Sequence, residues 1–90
     1  MPNWNVWLSR SAQKTLTRAP RPERERLQHA LDEMALDPFA GDVLTLKGEE
    51  RSSFRRRVGA WRIFFDVERD VLRVSVVDIA RRTTTTYRRR

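Results

Sequence analysis

The chain has 90 residues, enough for one modest hydrophobic core, and we expect a single domain over residues 1–90. It contains no cysteine, which excludes disulfide bonds, thiolate metal sites and a cysteine nucleophile. No apolar run is long enough to span a bilayer, and the N-terminus lacks the basic-then-apolar layout of a secretion signal. We therefore expect a cytoplasmic protein that makes no membrane contact.

The net charge of +7 is distributed unevenly along the chain. Residues 1–50 carry seven Lys or Arg against eight acids, whereas residues 51–90 carry twelve Arg against four acids. Arginine outnumbers lysine 17 to 2, as a GC-rich genome would give, but that bias does not explain why most acids lie in the first half. The asymmetry indicates a polyanionic partner for the second half.

The first half predicts one strand followed by a helical hairpin. Asn5–Leu8 is a short apolar run, and Ser9 after it is a favourable helix N-cap. The first helix, Ser9 to Arg18, has a narrow stripe formed by Ala12, Leu16 and Ala19. The segment Ala19-Pro20-Arg21-Pro22 then separates it from a second helix, which begins with Pro22 in its first turn and ends at Asp37-Pro38. The second helix has an apolar face formed by Leu27, Ala30, Leu31, Met34 and Ala35.

From residue 42 onward the pattern changes from helical to alternating. It predicts strands at Val43–Leu46, Ser53–Val58, Trp61–Val67 and Val71–Ile79, with Gly59-Ala60 and Arg69-Asp70 as two-residue hairpin loops. The β-prone run Thr83–Thr86 with Tyr87 would add a last strand. The predicted class is α+β: an N-terminal strand and a two-helix hairpin packed on one face of an antiparallel β-meander, in the order β-α-α followed by the strands of the meander.

Two-residue loops would determine which side chains share a face of the sheet, because neighbouring residues alternate with period two. In this register Arg57 lies opposite Arg62, and Asp66 lies opposite Arg73. One face is apolar and must meet the helices; it comprises Phe54, Val58, Trp61, Ile63, Phe65, Val67, Leu72, Val74 and Val76. Arg56 is the exception on that face, and we expect it to extend to solvent at an edge. The other face comprises Arg55, Arg57, Arg62, Phe64, Asp66, Arg73, Ser75, Val77, Ile79 and Arg81.

Arginines without matching acids on one face favour an anion-binding surface. Like charges facing each other across strands destabilise a sheet, and phosphate suits the guanidinium fork through paired hydrogen bonds. Phe64 among the arginines offers a ring for stacking on a base of single-stranded nucleic acid. The alternative is a solvated arginine face that is neutralised by Glu49, Glu50 or Glu68.

The chain resembles the RelE/ParE toxin superfamily over nearly its whole length. The resemblance is carried by Leu46-Lys47-Gly48, by Arg55-x-Arg57-Val58-Gly59-x-Trp61-Arg62-Ile63-Phe64-Phe65 and by Arg81, Arg82 and Tyr87. It implies a compact sheet backed by two helices and a gene beside that of an antitoxin. RelE-type members cut mRNA in the ribosomal A site, and ParE-type members poison DNA gyrase.

The resemblance also implies roles for individual residues. Arg62 matches the arginine that stabilises the transition state, Arg81 the arginine at the leaving group, and Tyr87 the aromatic residue that orients the nucleotide. Arg55 stands where ribosome-dependent nucleases often have a lysine, and Ser53 replaces a second lysine. The expected catalytic set is therefore Arg55, Arg62, Arg81 and Tyr87, and the expected RNA-binding set is Lys47, Arg57, Phe64 and Arg82.

Three functions agree with this pattern. The first is a ribosome-dependent mRNA endonuclease in which a ribose 2′-OH attacks the adjacent phosphate. The second is a gyrase inhibitor, which the serine at position 53 leaves open, and the third is a non-catalytic module that binds nucleic acid or antitoxin. All three imply an acidic antitoxin as partner. No cofactor is expected, and a single histidine, His29, together with the absence of cysteine argues against a metal site.

Overall fold

A computed structural model describes residues 3–48 and 51–82 of the chain. In chain order its elements are β1 (Asn5–Leu8), α1 (Arg10–Arg18), α2 (Arg21–Leu36), β2 (Asp42–Thr45), β3 (Phe54–Val58), β4 (Trp61–Glu68) and β5 (Arg73–Arg81). The strands of this part of the chain form one sheet in the order β1-β5-β4-β3-β2. β1 runs parallel to β5, and the other neighbouring strands are antiparallel. The predicted α+β architecture is confirmed, whereas the predicted strand at Thr83–Thr86 and Tyr87 lies outside the described residues.

Both helices begin and end where the local sequence predicts. The hydroxyl of Ser9 accepts a hydrogen bond from the backbone N–H of Ala12 at 3.0 Å, so Ser9 is the N-cap of α1. Pro22 lies in the first turn of α2, where a missing N–H has no consequence, and α2 ends at Leu36, before Asp37 and Pro38. No helix among the described residues is long and apolar enough to cross a membrane.

The hydrophobic core lies between the two helices and one face of the sheet. The helices contribute Ala12, Leu16, Leu27, Ala30, Leu31 and Met34, and the sheet contributes Trp61, Ile63, Phe65, Val74, Val76 and Ile79. We call this sheet surface the helix-bearing face and the opposite surface the outer face. Leu72, predicted to lie in the core, is 48% exposed because it adopts a left-handed conformation just before β5.

Arg56 is buried on the helix-bearing face, so the prediction that it extends to solvent is wrong. Its guanidinium donates to the backbone carbonyl of Ala30 at 3.3 Å and to Glu33 Oε1 at 2.5 Å, both on α2. These acceptors allow the charge to remain inside the fold. The hydrogen bond from Arg56 is also the main reason that the pKa of Glu33 lies below its ordinary value of 4.5, with a further contribution from His29. Arg56 is therefore a structural residue that joins β3 to α2.

The hairpin formed by β3 and β4 has the predicted register. Gly59-Ala60 is a two-residue turn, and Val58 pairs with Trp61, Arg57 with Arg62, Arg56 with Ile63 and Arg55 with Phe64. Arg57 and Arg62 thus lie directly opposite each other on the outer face.

The pairing of β4 with β5 differs from the prediction in two ways. A 3-10 turn at Arg69–Val71, followed by Leu72, replaces the two-residue loop, so Glu68 pairs with Arg73 and Asp66 pairs with Ser75. The predicted pair of Asp66 and Arg73 is therefore wrong. Because the shift is by two residues, it leaves Val74 and Val76 on the predicted face.

The second difference is a β-bulge. Phe65 pairs with Val76 but Phe64 pairs with Asp78, so Val77 has no partner residue on β4. One extra residue reverses the faces of everything that follows it on β5. Ile79 and Arg81 therefore lie on the helix-bearing face, contrary to prediction, and Asp78 and Ala80 lie on the outer face.

Candidate nucleic-acid interface

Three arginines lie together on the outer face, where two central strands of the sheet present them. Arg55 and Arg57 alternate along β3, and Arg62 lies on β4 opposite Arg57. Directly opposed side chains have Cβ atoms about 4.5–5.5 Å apart, and diagonal ones lie at roughly 7–8 Å. We call Arg55, Arg57 and Arg62 the arginine cluster. The structure thus brings together three of the eight site residues predicted from the sequence.

The arginine cluster makes no ion pair within 4.0 Å in residues 3–48 and 51–82. Asp42 lies opposite Arg57 on β2, but their charged groups are not within that distance. The carboxylate of Asp66 accepts a hydrogen bond from the backbone N–H of Ser53 at 2.7 Å. The Nε atom of Arg55 is buried and has no hydrogen-bond partner among the described residues. Cations that the described residues leave without an ion pair form an electrostatic site for an anion.

Phe64 lies on the outer face beside the arginine cluster, but its ring is covered. The residue is only 7% exposed, and the guanidinium carbon of Arg51 lies 4.6 Å from the ring centroid. Arg51 is itself paired with Asp78, which faces Phe64 across the β4–β5 ladder. The ring is therefore not open for stacking in this conformation, unlike the exposed ring that the sequence suggested.

Arg81 does not lie with the arginine cluster. The bulge places it opposite Trp61 on the helix-bearing face, where its guanidinium carbon is 5.7 Å from the indole ring centroid and its Nη1 atom is 4.0 Å from Glu23 Oε1. Glu23 also accepts a hydrogen bond from the indole N–H at 2.9 Å. This grouping at the start of α2 is a finding that strand alternation alone could not predict.

The remaining predicted site residues lie at the margins of the outer face or outside the described residues. Arg82 directly follows β5, and its backbone N–H donates to the carbonyl of Ala60 at 2.6 Å. Lys47 is exposed in the loop after β2, beside the start of β3 and away from the Gly59-Ala60 turn. Tyr87 lies outside the described residues, so its role stays a prediction.

Two further arginine–acid pairs on the outer face were not singled out by the sequence analysis. Arg51 pairs with Asp78 over Phe64, and Arg73 pairs with Glu68 at 3.2 Å, with its guanidinium carbon 4.6 Å from the centroid of Trp7. The basic residues were visible in the sequence, but their partners depend on the bulge and on the actual β4–β5 connection. Arg51 and Arg73 thus each have an acidic partner, whereas the arginine cluster has none among the described residues.

The candidate site has no cation-binding chemistry among its described residues. No group of three or more His, Asp or Glu side chains in that part of the chain is arranged to hold a metal ion. His29 is 76% exposed on α2 and lies 3.3 Å from Glu33, away from the arginine cluster. The guanidinium groups of the arginine cluster can bind phosphate by charge and by paired hydrogen bonds, and they are poor general bases.

Solved structures of toxin–antitoxin proteins share this fold. A chain of the archaeal RelE–RelB complex from Pyrococcus horikoshii OT3 is 20% identical, with a TM-score of 0.78 over 91% of this chain and 98% of that one. The isolated Escherichia coli RelE toxin is 18% identical, with a TM-score of 0.72 over 89% and 85% of the two chains. The YoeB/ParE toxin from Agrobacterium tumefaciens is 19% identical, with a TM-score of 0.73 over 88% and 99%.

The sequence itself matches no protein-family model and no curated protein. The likeness is therefore one of overall fold. This chain has the RelE/ParE toxin fold.

Proposed function

We propose that this chain is the toxin of a type II toxin–antitoxin system and that it cleaves mRNA in the ribosomal A site. The observation that carries the proposal is the arginine cluster. Arg55, Arg57 and Arg62 lie on the sheet face that the helices leave open, and the described residues supply them with no ion pair. The shared architecture with RelE toxins supports the same proposal.

The proposed reaction needs little covalent chemistry from the protein. The ribose 2′-oxygen gives its proton to water and bonds to the adjacent phosphorus, the bond from phosphorus to the 5′-oxygen breaks, and the leaving 5′-oxygen takes a proton from water. The products are a 2′,3′-cyclic phosphate and a 5′-hydroxyl. The intermediate phosphorane is a dianion, which Arg62 and Arg55 would stabilise by charge and by hydrogen bonds. Arg57, opposite Arg62, would hold a neighbouring phosphate and keep the strand in position.

Arg81 and Tyr87, which the resemblance assigns to catalysis, are treated differently in this proposal. Arg81 lies on the helix-bearing face with Trp61 and Glu23, so we do not place it at the same phosphate as Arg62. Tyr87 remains the proposed residue for orienting the nucleotide, on the basis of the sequence resemblance alone. Lys47 and Arg82 are proposed as peripheral phosphate contacts, since both are exposed at the ends of strands next to the outer face.

The proposal is tested by inducing the chain in bacteria and mapping the 5′ ends of a reporter mRNA by primer extension. The wild type should produce cuts within translated codons, and Arg62→Ala should produce none while keeping its melting temperature. Arg18→Ala, at an exposed position in the last turn of α1, is the matched control and should cut like the wild type. Arrested cells with intact mRNA would contradict the nuclease proposal.

One observation favours the second candidate, a gyrase inhibitor. The arginine cluster includes no group that readily accepts a proton at neutral pH, and position 53 carries a serine hydroxyl in place of a lysine. A gyrase inhibitor needs only to bind. This function predicts DNA double-strand breaks and an SOS response after induction, with mRNA left intact.

We also propose an acidic antitoxin as the partner that neutralises the outer face. Complementary charge gives fast and specific association, and the arginine cluster provides the positive side of such a contact. A small acidic protein encoded beside this gene should suppress the growth defect when both are expressed. Arg57→Ala and Arg62→Ala should each slow association of the purified pair at low salt.

A further inference from the structure

Arg51, Phe64 and Asp78 form a group of contacting side chains on the outer face, outside the hydrophobic core. Arg51 covers the Phe64 ring and pairs with Asp78, which also accepts a hydrogen bond from the hydroxyl of Ser11 at 3.0 Å. Phe64 is buried, yet it is not part of the core between the sheet and the helices. Arg51 covers one side of a ring that lies outside the core, so a movement of Arg51 would expose more of that ring.

The β-bulge places Asp78 in this group. Phe65 pairs with Val76, so without the bulge Phe64 would face Val77, an apolar residue. The extra residue at Val77 brings a carboxylate to the outer face, next to the arginine cluster. Bulges are common beside functional sites because they redirect a side chain in this way.

We propose that Phe64 and Arg51 form a subsite for one nucleotide of single-stranded RNA and that Asp78 closes this subsite in the free protein. The proposal rests on the proposed function, because it assumes that RNA reaches the arginine cluster. A phosphate replaces the carboxylate as the partner of Arg51, and the freed ring of Phe64 stacks on the adjoining base. Both groups bind any of the four bases, since a phosphate and a π-face are common to all of them.

The pair that must open is weak enough to exchange. The Arg51 side chain is 53% exposed, and Arg51 precedes β3 in an irregular segment, so its movement breaks no strand hydrogen bond. Exposed ion pairs are screened by water and contribute little to stability. Asp78 keeps partners when Arg51 leaves, because Ser11 and the backbone N–H of Ile79, at 2.9 Å, both donate to its Oδ1 atom. The carboxylate is thus held in place and only the arginine moves.

The chain contains an internal control for this proposal. Arg73 also pairs with an acid, Glu68, and its guanidinium also lies 4.6 Å from an aromatic centroid, that of Trp7. This second group lies on the outer face near β1, at the side of the sheet away from β3. Glu68→Gln and Asp78→Asn therefore remove the same charge from similar pairs, but only Asp78 adjoins the arginine cluster.

The experiment measures binding of a short fluorescein-labelled 2′-O-methyl RNA, which cannot be cleaved by 2′-oxygen attack, to the purified full chain by fluorescence anisotropy. Asp78→Asn should bind at least about fivefold more tightly than Glu68→Gln, because one phosphate contact and one stacked base are released. The binding constant of Asp78→Asn should depend more steeply on salt concentration, by about the amount expected for one additional phosphate contact. The gain should disappear in Asp78→Asn combined with Arg51→Ala. It should be smaller in Asp78→Asn combined with Phe64→Leu, and smaller for binding to inorganic polyphosphate, which has no bases.

The outcomes of this experiment distinguish failure of the subsite from failure of the proposed function. Equal affinities for Asp78→Asn and Glu68→Gln would overturn the subsite, while weakened binding by Arg57→Ala would still support the outer face as the RNA surface. RNA binding that is unchanged by Arg57→Ala and Arg62→Ala would overturn that surface and the subsite with it. An equal gain on RNA and polyphosphate would overturn base stacking on Phe64.

A second measurement uses the unmodified chain, so it does not depend on how well Asp78→Asn folds. In ¹⁵N and aromatic ¹³C NMR spectra, added RNA should shift the Arg51 Nε–H and Phe64 ring signals and leave those of Arg73 and Trp7 unchanged. Shifts at the arginine cluster without any change at Arg51 or Phe64 would overturn the subsite.

Discussion

Arg56 and Arg57 are consecutive in the sequence, yet their side chains lie on opposite faces of the sheet and have opposite roles. Arg56 is buried and bonded to α2, whereas Arg57 is exposed opposite Arg62. Because successive side chains of a strand point to opposite faces, Arg56 stabilises the fold and its neighbour Arg57 belongs to the candidate site. This division leads to the first three predictions.

Arg56→Ala should destabilise the protein by about 1–3 kcal/mol, because it removes buried packing and leaves the Ala30 carbonyl without its side-chain donor. Arg57→Ala is the matched control one residue away and should change stability by no more than about 0.5 kcal/mol. Urea unfolding followed by tryptophan fluorescence measures both. Equal effects of the two substitutions would contradict the structural role of Arg56.

The pair of Glu33 and Arg56 should make stability depend on acid pH. The pKa of Glu33 is lowered in the folded chain, mainly by the hydrogen bond from Arg56, so the unfolded chain takes up the proton first as the pH falls. Stability from this group is present above the ordinary value of 4.5 and is lost as the pH falls through the lower folded pKa. Urea midpoints should therefore decline less between pH 5 and pH 3 in Glu33→Gln than in the wild type. In an Arg56→Ala background, Glu33→Gln should no longer alter how strongly the urea midpoint depends on pH.

Arg57→Glu should remove function and leave stability almost unchanged. The substitution replaces the like-charge pair with Arg62 by an opposite-charge pair, but it also places a second acid opposite Asp42 on β2, and these two changes are each on the order of 0.2–1 kcal/mol with opposite signs. It also places a negative charge within the arginine cluster, so induced cells should grow normally. Melting temperature and growth after induction are the two measurements. A variant that is as stable as the wild type and still fully toxic would show that the arginine cluster is not the functional surface.

Gly41→Ala should destabilise the chain more than Gly48→Ala. Both glycines have positive φ, +81° and +74°, so alanine is strained at either position. A Cβ atom at residue 41 would in addition lie 2.9 Å from the Arg56 guanidinium, whereas at residue 48 it would meet no atom of the described residues within 4 Å. Thermal unfolding should show the difference, which should shrink in an Arg56→Ala background because the two sites are coupled. Equal losses at both glycines would show that backbone strain alone is responsible.

Local patterns in the sequence were sufficient to predict the helices, the strands and the arginine cluster. Ser9 and the prolines at 20, 22 and 38 mark the helix ends through hydrogen bonding and φ restriction, which act within a few residues. The two-residue turn at Gly59-Ala60 likewise determined the β3–β4 register. Arg55, Arg57 and Arg62 could therefore be assigned to one face before the fold was known.

The tertiary structure alone decided the positions of Arg81, Asp78 and Arg51. The bulge at Val77 reverses the faces after Val76, and the carbonyl of Val77 accepts a hydrogen bond from the hydroxyl of Ser9 at 2.6 Å, a contact between residues 68 apart in sequence. A carbonyl displaced from the sheet ladder needs a partner, and here that partner comes from the N-cap of α1. No periodicity within β5 can encode such a contact. The sequence by itself thus determined that Arg55, Arg57 and Arg62 share the outer face, whereas the docking of α1 against β5 decided that Arg81 leaves it and which carboxylate lies beside the arginine cluster.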